Sequence, residues 1–499
     1  MTTAARTEYE VVIGLETHVQ LKTESKMFCP CSSAYFDTDP NTHACPVCMG
    51  MPGMLPVINR KAVEYTILAG LAMGCTIPEY SKFDRKNYPY PDLMKGYQIS
   101  QFDQPLCLGG GLEIEADGET RYVHLERIHL EEDTARSLHR NDGIGEGYTL
   151  LDVNRAGVPL MEIVTTPDMR SAAQAVAYMR KLRQVIRSIG VGDADMEKGG
   201  FRCDANVSLR PWGSETLGAK VEVKNMNSFR SVQRAIETEI VRQTAILNAG
   251  GTIVQETRGF VDATGETQSQ RSKEGAHDYR YFPEPDLPPL KISTAEVDAL
   301  RARLPELPDA RSARFESQYG LTTATAKLLN ETHEEADAFE ATTRLTAEGA
   351  TGDAVLARAR AAANWIIGDL ARLRRAEVGA ERAWDEIPVT PAHIAELVKI
   401  TEDGTITGTT AKQVLDVAFE TGQMPSAIVA ERGLAQVKDS AEIDRVAAAV
   451  IEANPKPVAD YQGGKATAIQ FLVGQVMREL KGRADATGAA EALRKQLDA

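Results

Sequence analysis

The sequence predicts an α+β protein, with a large, mostly antiparallel sheet over residues 1–292 and helices after it. Three observations predict this. Period-two alternation of apolar and polar residues recurs before residue 225, with few helices between the runs. A proline-rich passage, Tyr281–Leu290 (YFPEPDLPPL), holds the chain extended and closes the region. Beyond it the chain turns rich in Ala, Glu and Arg at helical spacing.

The alternating runs are Tyr9–Leu21, Leu112–Ala116, Arg121–Leu130, Tyr148–Val153, Leu160–Val164, Phe201–Arg210 and Lys220–Lys224. Three helices interrupt them. Asn59 can cap Arg60–Met73, with Gly74 as its stop. Ser171–Ile189 carries Val176, Met179, Leu182 and Ile186 on one face and ends at Gly190. Ser228–Ala249 carries Phe229, Val232, Ile236 and Ile240 and ends at Gly250–Gly251. So few helices among so many strands predict a sheet covered on one face. Residues 293–405 read as a helical domain, and residues 406–499 as a helical tail broken at Gly404, Gly408, Gly422, Pro425 and the Asn454–Pro455 turn.

Composition narrows the class of function. The chain has 499 residues, 43% hydrophobic and 25% charged, as globular proteins are. It shows no apolar run of membrane-spanning length, and MTTAARTEYE lacks the apolar core of a signal peptide, so a cytoplasmic location is expected. A net charge of −15 argues against indiscriminate nucleic-acid binding. A local basic surface remains compatible with it, because screening confines fields to about 8–10 Å. The last 39 residues carry six Lys/Arg (Lys465, Arg478, Lys481, Arg483, Arg494, Lys495) against four Asp/Glu. That end reads either as a solvated helix face or as a phosphate-contacting surface.

Seven cysteines do not make a secreted disulfide framework, and four cluster as Cys29-Pro-Cys31 and Cys45-Pro-Val-Cys48. Two close thiol pairs on a short loop can close a tetrahedral S4 zinc site that ties down a segment with little core. With all four positions taken by thiolates, such a metal is structural. Cys75, Cys107 and Cys203 read as buried small hydrophobes.

The chemistry lies in the polar rows of the strands. In YEVVIGLETHVQL, Glu16 and His18 share a face about 6.5–7 Å apart. In FRCDANVSLR, Arg202, Asp204, Asn206, Ser208 and Arg210 face opposite to Phe201, Cys203, Ala205, Val207 and Leu209. Lys220, Glu222 and Lys224 continue the charged face as a hairpin. His129–Asp133 (HLEED) gathers three acids, of which Glu131 and Glu132 must point to opposite faces if extended. Glu162 stands alone in the apolar PLMEIV, so it needs a cation partner. Glu132 and Glu162, with His18, can supply a Mg²⁺ site, which needs a few oxygen ligands plus water and phosphate oxygens. Phe83–Gln101 mixes Arg85, Lys86 and Lys95 with Tyr88, Tyr90 and Tyr97, as a loop able to clamp phosphate, adenine or carboxylate. There is no G-x-x-x-x-G-K-[ST] and no G-x-G-x-x-G opening a helix, so a nucleotide must be held by metal and side chains. There is no Ser/Gly-rich amidase run either, so the chain is not expected to hydrolyse an amide by itself.

Taken together, GLETHVQL, FDRKNYPYPD, KGYQISQFDQP, LEEDTAR, LDVNRAGVPLMEIV, RCDANVSLRP, EVKNMNSF, DYRYFPEPDLPP, NWIIGDL and FLVGQVMRELKG resemble the B subunits of the bacterial-type aspartyl/glutamyl-tRNA amidotransferases, along essentially the whole chain. Met94 stands where many members have Pro, and Arg483–Ala486 replaces a commoner ending. The resemblance implies a cradle-shaped sheet domain related to glutamine synthetase, a helical domain and a tail that meets tRNA. It implies ATP-dependent phosphorylation of the side-chain carboxylate of Glu or Asp on a misacylated tRNA, then displacement of phosphate by ammonia. It implies two partner chains, the glutaminase (A) and a small bridging protein (C). The family's metal ligands map onto His18, Glu132 and Glu162, with Glu16 beside them, and its zinc site onto Cys29, Cys31, Cys45 and Cys48. Arg202, Lys220 and Lys224 are candidates to neutralise the transferring phosphoryl group. The competing expectations are a non-catalytic tRNA-holding scaffold and a ligase acting on free glutamate.

Overall fold

The computed structural model describes residues 8–140, 147–272, 279–375, 382, 384–436, 440–465, 467–480 and 483–498. Contacts divide the chain into two units, Met1–Leu307 and Pro308–Ala499.

The first unit is built on a nine-stranded sheet. Its strands are β1 (Tyr9–Gln20), β4 (Cys107–Leu108), β5 (Gly111–Ala116), β6 (Glu119–Glu132), β7 (Pro159–Thr165), β8 (Phe201–Pro211), β9 (Val221–Lys224), β10 (Glu256–Val261) and β11 (Glu266–Ser272). The order across it is β11-β10-β9-β8-β1-β7-β6-β4, with β5 paired to β6. Among the described residues, its pairings are antiparallel except that of β9 with β10. Two further strands, β2 (Asp84–Asn87) and β3 (Tyr97–Ser100), form a small sheet with Phe282–Pro283. The stretch Phe83–Gln101, expected as a loop, is therefore largely a hairpin. Tyr148–Asp152 pairs with Arg136–Arg140, apart from the main sheet.

Helices α1 (Arg60–Ala72), α2 (Ala172–Ser188) and α3 (Phe229–Asn248) cover the apolar face. Each begins where the sequence offers a cap: the side chains of Asn59, Ser171 and Ser228 accept from backbone N–H groups of the first turn. α2 stops before Gly190, whose φ of 68° only glycine adopts at no cost. The shared core takes the odd-numbered residues of β1 and β8 (Ile13, Leu15, Val19; Phe201, Cys203, Ala205, Val207) and Met179, Leu182, Val232 and Ile236 from the helices. Burying that face leaves the even-numbered row free to line a site.

The first unit ends 15 residues beyond the expected boundary at 292. Ile292 and Leu300 join the sheet domain's core, so the helix Thr294–Arg301 belongs to it. The second unit is helical and has two apolar clusters. One runs from Phe315 to Val429 and includes Phe339, Ile366, Leu397 and Leu415. The other runs from Ala447 to Leu497 and includes Leu472, Val476 and Leu493. The first cluster passes the break expected at 405, because Gly404 turns a corner between two helices of one core. Among the described residues no helix is long and apolar enough to cross a membrane.

Candidate active site

Four strands bring one polar row together. Antiparallel register sets His129 of β6 opposite Glu162 of β7, Glu162 opposite His18 of β1, and His18 opposite Arg202 of β8. Directly opposite residues point to the same face, so the row is fixed by pairing alone. Glu131 lies two residues from His129 on that face. The result is a compact cluster. His18 Nε2 is 3.4 Å from Glu162 and 3.8 Å from Glu131; His129 Nε2 is 3.2 Å from Glu162 and 3.6 Å from Glu131. The Ser100 hydroxyl of β3 donates to Glu131 at 3.0 Å.

Burial alone drives such acids neutral, and here cations win. Against burial, His129 and His18 hold Glu162 well below the carboxylate range. Against burial, Glu162 and Glu131 push His129 up to about 9. Lys86 of β2 is held protonated against burial by Glu131, Tyr281 and Glu162, and its ammonium lies 5.0 Å from the Tyr279 ring.

Beside the cluster, Glu16 accepts from Asn206 Nδ2 at 2.9 Å. Burial, then Glu162, Glu222 and Asp204, raise the Glu16 carboxyl. Lys224 bonds Asp204 and lies 3.4 Å from Glu222. A cavity of about 540 Å³ opens along this row, lined by Glu16, Arg127, Asn206, Ser208, Lys220 and Gln255 among others.

The ligand atoms of His18, Glu131 and Glu162 lie within 4.8 Å of one another. Two carboxylates and an imidazole fit a hard divalent cation that keeps open positions for water or phosphate oxygens. The second cluster is the knuckle. The sulfurs of Cys29, Cys31, Cys45 and Cys48 also lie within 4.8 Å of one another, and Cys45 and Cys48 are 3.9 Å apart. A tetrahedral zinc–thiolate site, with bonds of about 2.3 Å, needs sulfurs about 3.8 Å apart. The four thiols fit zinc.

Residues 11–298 match the GatB/GatE catalytic domain family, and residues 350–497 match the GatB domain family. The chain is 52% identical to the B subunit of the aspartyl/glutamyl-tRNA(Asn/Gln) amidotransferase of Dehalococcoides mccartyi over 493 residues, covering 99% of both chains. It is 52% identical to that of Thermomicrobium roseum and 50% identical to that of Geobacter sulfurreducens, each over 98% of this chain and 99% of the relative. The chain belongs to the family of amidotransferase B subunits.

Within this B-subunit fold the expected ligand set needs one correction. Glu131 joins His18 and Glu162; Glu132 does not. Glu132 faces the core side, where Lys95 holds it at 2.6 Å and the Ile99 N–H donates to it at 3.0 Å. The cause is a β-bulge. The register of β6 against β7 shifts between Val164 and Thr165, so buried residues change from Val123 and Leu125 to Ile128 and Leu130. Continuing the Ile128–Leu130 parity places Glu132 inward and His129 and Glu131 on the polar row. That signal was in the sequence, and it also marks His129, which the expected site lacked.

Other expected binding residues divide. The Arg85 fork is taken by Glu284, at 2.7 and 2.9 Å, and by Asp286, which makes it a strut for the proline-rich passage rather than a ligand clamp. Tyr97 lies under the Arg85 guanidinium at 4.3 Å, and the Tyr88 hydroxyl donates to Gln98. Arg202 bonds Asp133 at 2.7 Å, and Asp133 accepts from Gln20 as well. Asp204, Asn206, Ser208, Lys220 and Lys224 belong to the row beside the acids. Of the basic tail, Lys465, Arg478, Arg494 and Lys495 are exposed; Lys481, like Asp278 of the DYRYF motif, lies outside the described residues.

Proposed function

We propose that this chain activates and amidates the side chain of Glu or Asp carried on a misacylated tRNA, using ATP and ammonia. The observation that carries the proposal is the convergence of His18, Glu131 and Glu162 from three strands, with Lys86 facing them and the polar cavity alongside.

His18, Glu131 and Glu162 would hold Mg²⁺. When bound, the ion neutralises charge on the phosphates of ATP. Lys86 places a second positive charge against the same acids, where the terminal phosphoryl group would pass. The cavity with Asn206, Ser208 and Lys220 seats the nucleotide, and Lys224 neutralises Asp204 and Glu222 beside it. A carboxylate oxygen of the aminoacyl side chain attacks the terminal phosphorus, and ADP leaves. Ammonia then attacks the acyl carbon and inorganic phosphate leaves with the C–O electrons, giving the amide. Phosphorylation is needed because oxide is not a viable leaving group. The protein's part is largely positioning and charge neutralisation. The four cysteines would hold a structural zinc ion.

Ammonia would be supplied in the cytoplasm by the glutaminase partner, with the small bridging protein completing a heterotrimer. The exposed basic residues of the last helices suit the tRNA body. A purely tRNA-holding scaffold would use that surface and leave the acid cluster idle.

The assembled complex decides between them. Given Glu-tRNA, ATP and ammonium chloride without glutamine, it is expected to form Gln-tRNA with one ADP per product. No ADP and no Gln-tRNA would leave only the holding role. Equal turnover of free glutamate would instead point to a free carboxylate ligase.

A further inference from the structure

A row of aromatic side chains borders the acid cluster and has no part in the chemistry above. Tyr88 packs on Tyr279 at 5.6 Å and Tyr279 on Tyr281 at 6.1 Å, both edge-on. The last contact differs in kind. Phe102 and Tyr281 stack face to face, with centroids 4.3 Å apart and planes 9° from parallel. Phe102 is 44% exposed, a high figure for phenylalanine beside an active site.

The ledge is tied to the site from both ends. Phe102 is two residues after Ser100, whose hydroxyl holds Glu131, and its own N–H donates to Asp84 of β2 at 3.0 Å. Tyr281 precedes Phe282, which pairs with Arg85 of β2. The Tyr281 phenol is raised to about 12 by burial, with Glu131 and Glu162 adding to the effect against Lys86. Its ring supports Phe102.

Resting on the proposed function, we propose that the Phe102–Tyr281 ledge is a stacking seat for an adenine ring, that of the 3′-terminal adenosine of the aminoacylated tRNA. The reacting amino acid is esterified to the ribose of that adenosine, so its base must lie within the combined span of one side chain, an ester and a ribose from the acids. A flat, rigid pair with one ring open to solvent offers a third ring a surface without reading its edges, as single-strand binding platforms do. The adenine of ATP is the other source of the same chemistry. The polar cavity by Asn206, Ser208 and Lys220 suits it better, since a triphosphate separates that base from the reacting phosphorus. An open ledge suits the end of a polymer arriving from solvent.

The test uses the assembled complex with Phe102→Ala and Phe102→Trp. In the alanine variant KM for Glu-tRNA is expected to rise about five- to hundred-fold, the range that loss of one base–aromatic stack gives. KM for ATP should stay within about two-fold, and the tryptophan variant should restore the wild-type value. A tRNA ending in 2-aminopurine adds a readout independent of turnover. Its fluorescence should be quenched on the wild-type complex and not on the alanine variant. A rise in KM for ATP alone would hand the ledge to the nucleotide and overturn the assignment. So would unchanged KM values with unchanged quenching. ATP-dependent Gln-tRNA formation from ammonium chloride by the wild-type complex tests the underlying function without altering Phe102, so the two failures are distinguishable.

Discussion

Replacing Glu131 by Gln is expected to lower amidation by the assembled complex at least about 10²–10³-fold while the chain stays folded. The glutamine keeps the shape and still accepts from Ser100. What it loses is one of two negative charges aimed at the cation site. It also leaves His18 and His129 facing a single carboxylate, Glu162. Glutamine hydrolysis by the partner and tRNA binding should change little, because neither uses this charge. Glu132→Gln should behave differently. Glu132 and Lys95 form a pair whose side chains are 5% and 15% exposed, so removing one charge strands the other in the interior. A broken buried pair typically costs about 3–5 kcal/mol. Urea denaturation should show that loss in Glu132→Gln and a smaller one in Glu131→Gln, whose buried partners keep Glu162, while amidation per folded molecule ranks the opposite way. If Glu132→Gln is the folded, inactive variant and Glu131→Gln the unstable one, the ligand assignment is wrong.

The contrast between these neighbours shows what the sequence could and could not reveal. Alternation in β1 and β8 is unbroken, so Glu16, His18, Arg202 and Asn206 were legible as one face, and pairing joined them. The three helices were legible because caps, apolar stripe and stop agree. Glu131 and Glu132 were separable only by the change of apolar parity from Val123 and Leu125 to Ile128 and Leu130, the trace that a bulge in β6 leaves in the sequence. Lys95 and Arg85 looked like ligand clamps because a cation near tyrosines reads alike whether its partner is a phosphate or a distant acid. Glu284 lies 199 residues from Arg85, and no local pattern announces that contact. The helical boundary failed for the same reason. Gly404 marks a turn in sequence, yet the helices on either side of it share one core.

Removing zinc from the knuckle is expected to lower amidation by about ten-fold or more while the sheet stays folded. Metal analysis should first find about one zinc per chain. Around the four cysteines apolar support is thin: Ala44 and Met49 lean on a small cluster of Ala135, Val153 and Ala156, so the ion carries much of the order of the segment. That segment reaches toward the site through Gly50. Gly50 packs so closely on Lys95 that a Cβ there would lie 2.5 Å from Lys95 Cγ, and Lys95 holds Glu132, next to Glu131. Loosening the knuckle therefore frees Lys95 first, and the end of β6 follows. Lys26 gives a sharper version of the same experiment. It is 1% exposed, its ammonium donates to the His43 carbonyl at 2.7 Å, and it lies 3.7 Å from Cys48 Sγ. Four thiolates around a divalent ion leave excess negative charge, and Lys26 is the buried cation placed to offset it. Lys26→Met keeps most of the length of the side chain and removes the charge. It should weaken zinc about 10–100-fold, the usual effect of losing an outer-shell partner, and competition with a chelator measures that shift directly. Unchanged zinc affinity would confine Lys26 to tethering the His43 carbonyl. Full amidation by zinc-free protein would break the link from the knuckle, through Gly50 and Lys95, to the acid cluster.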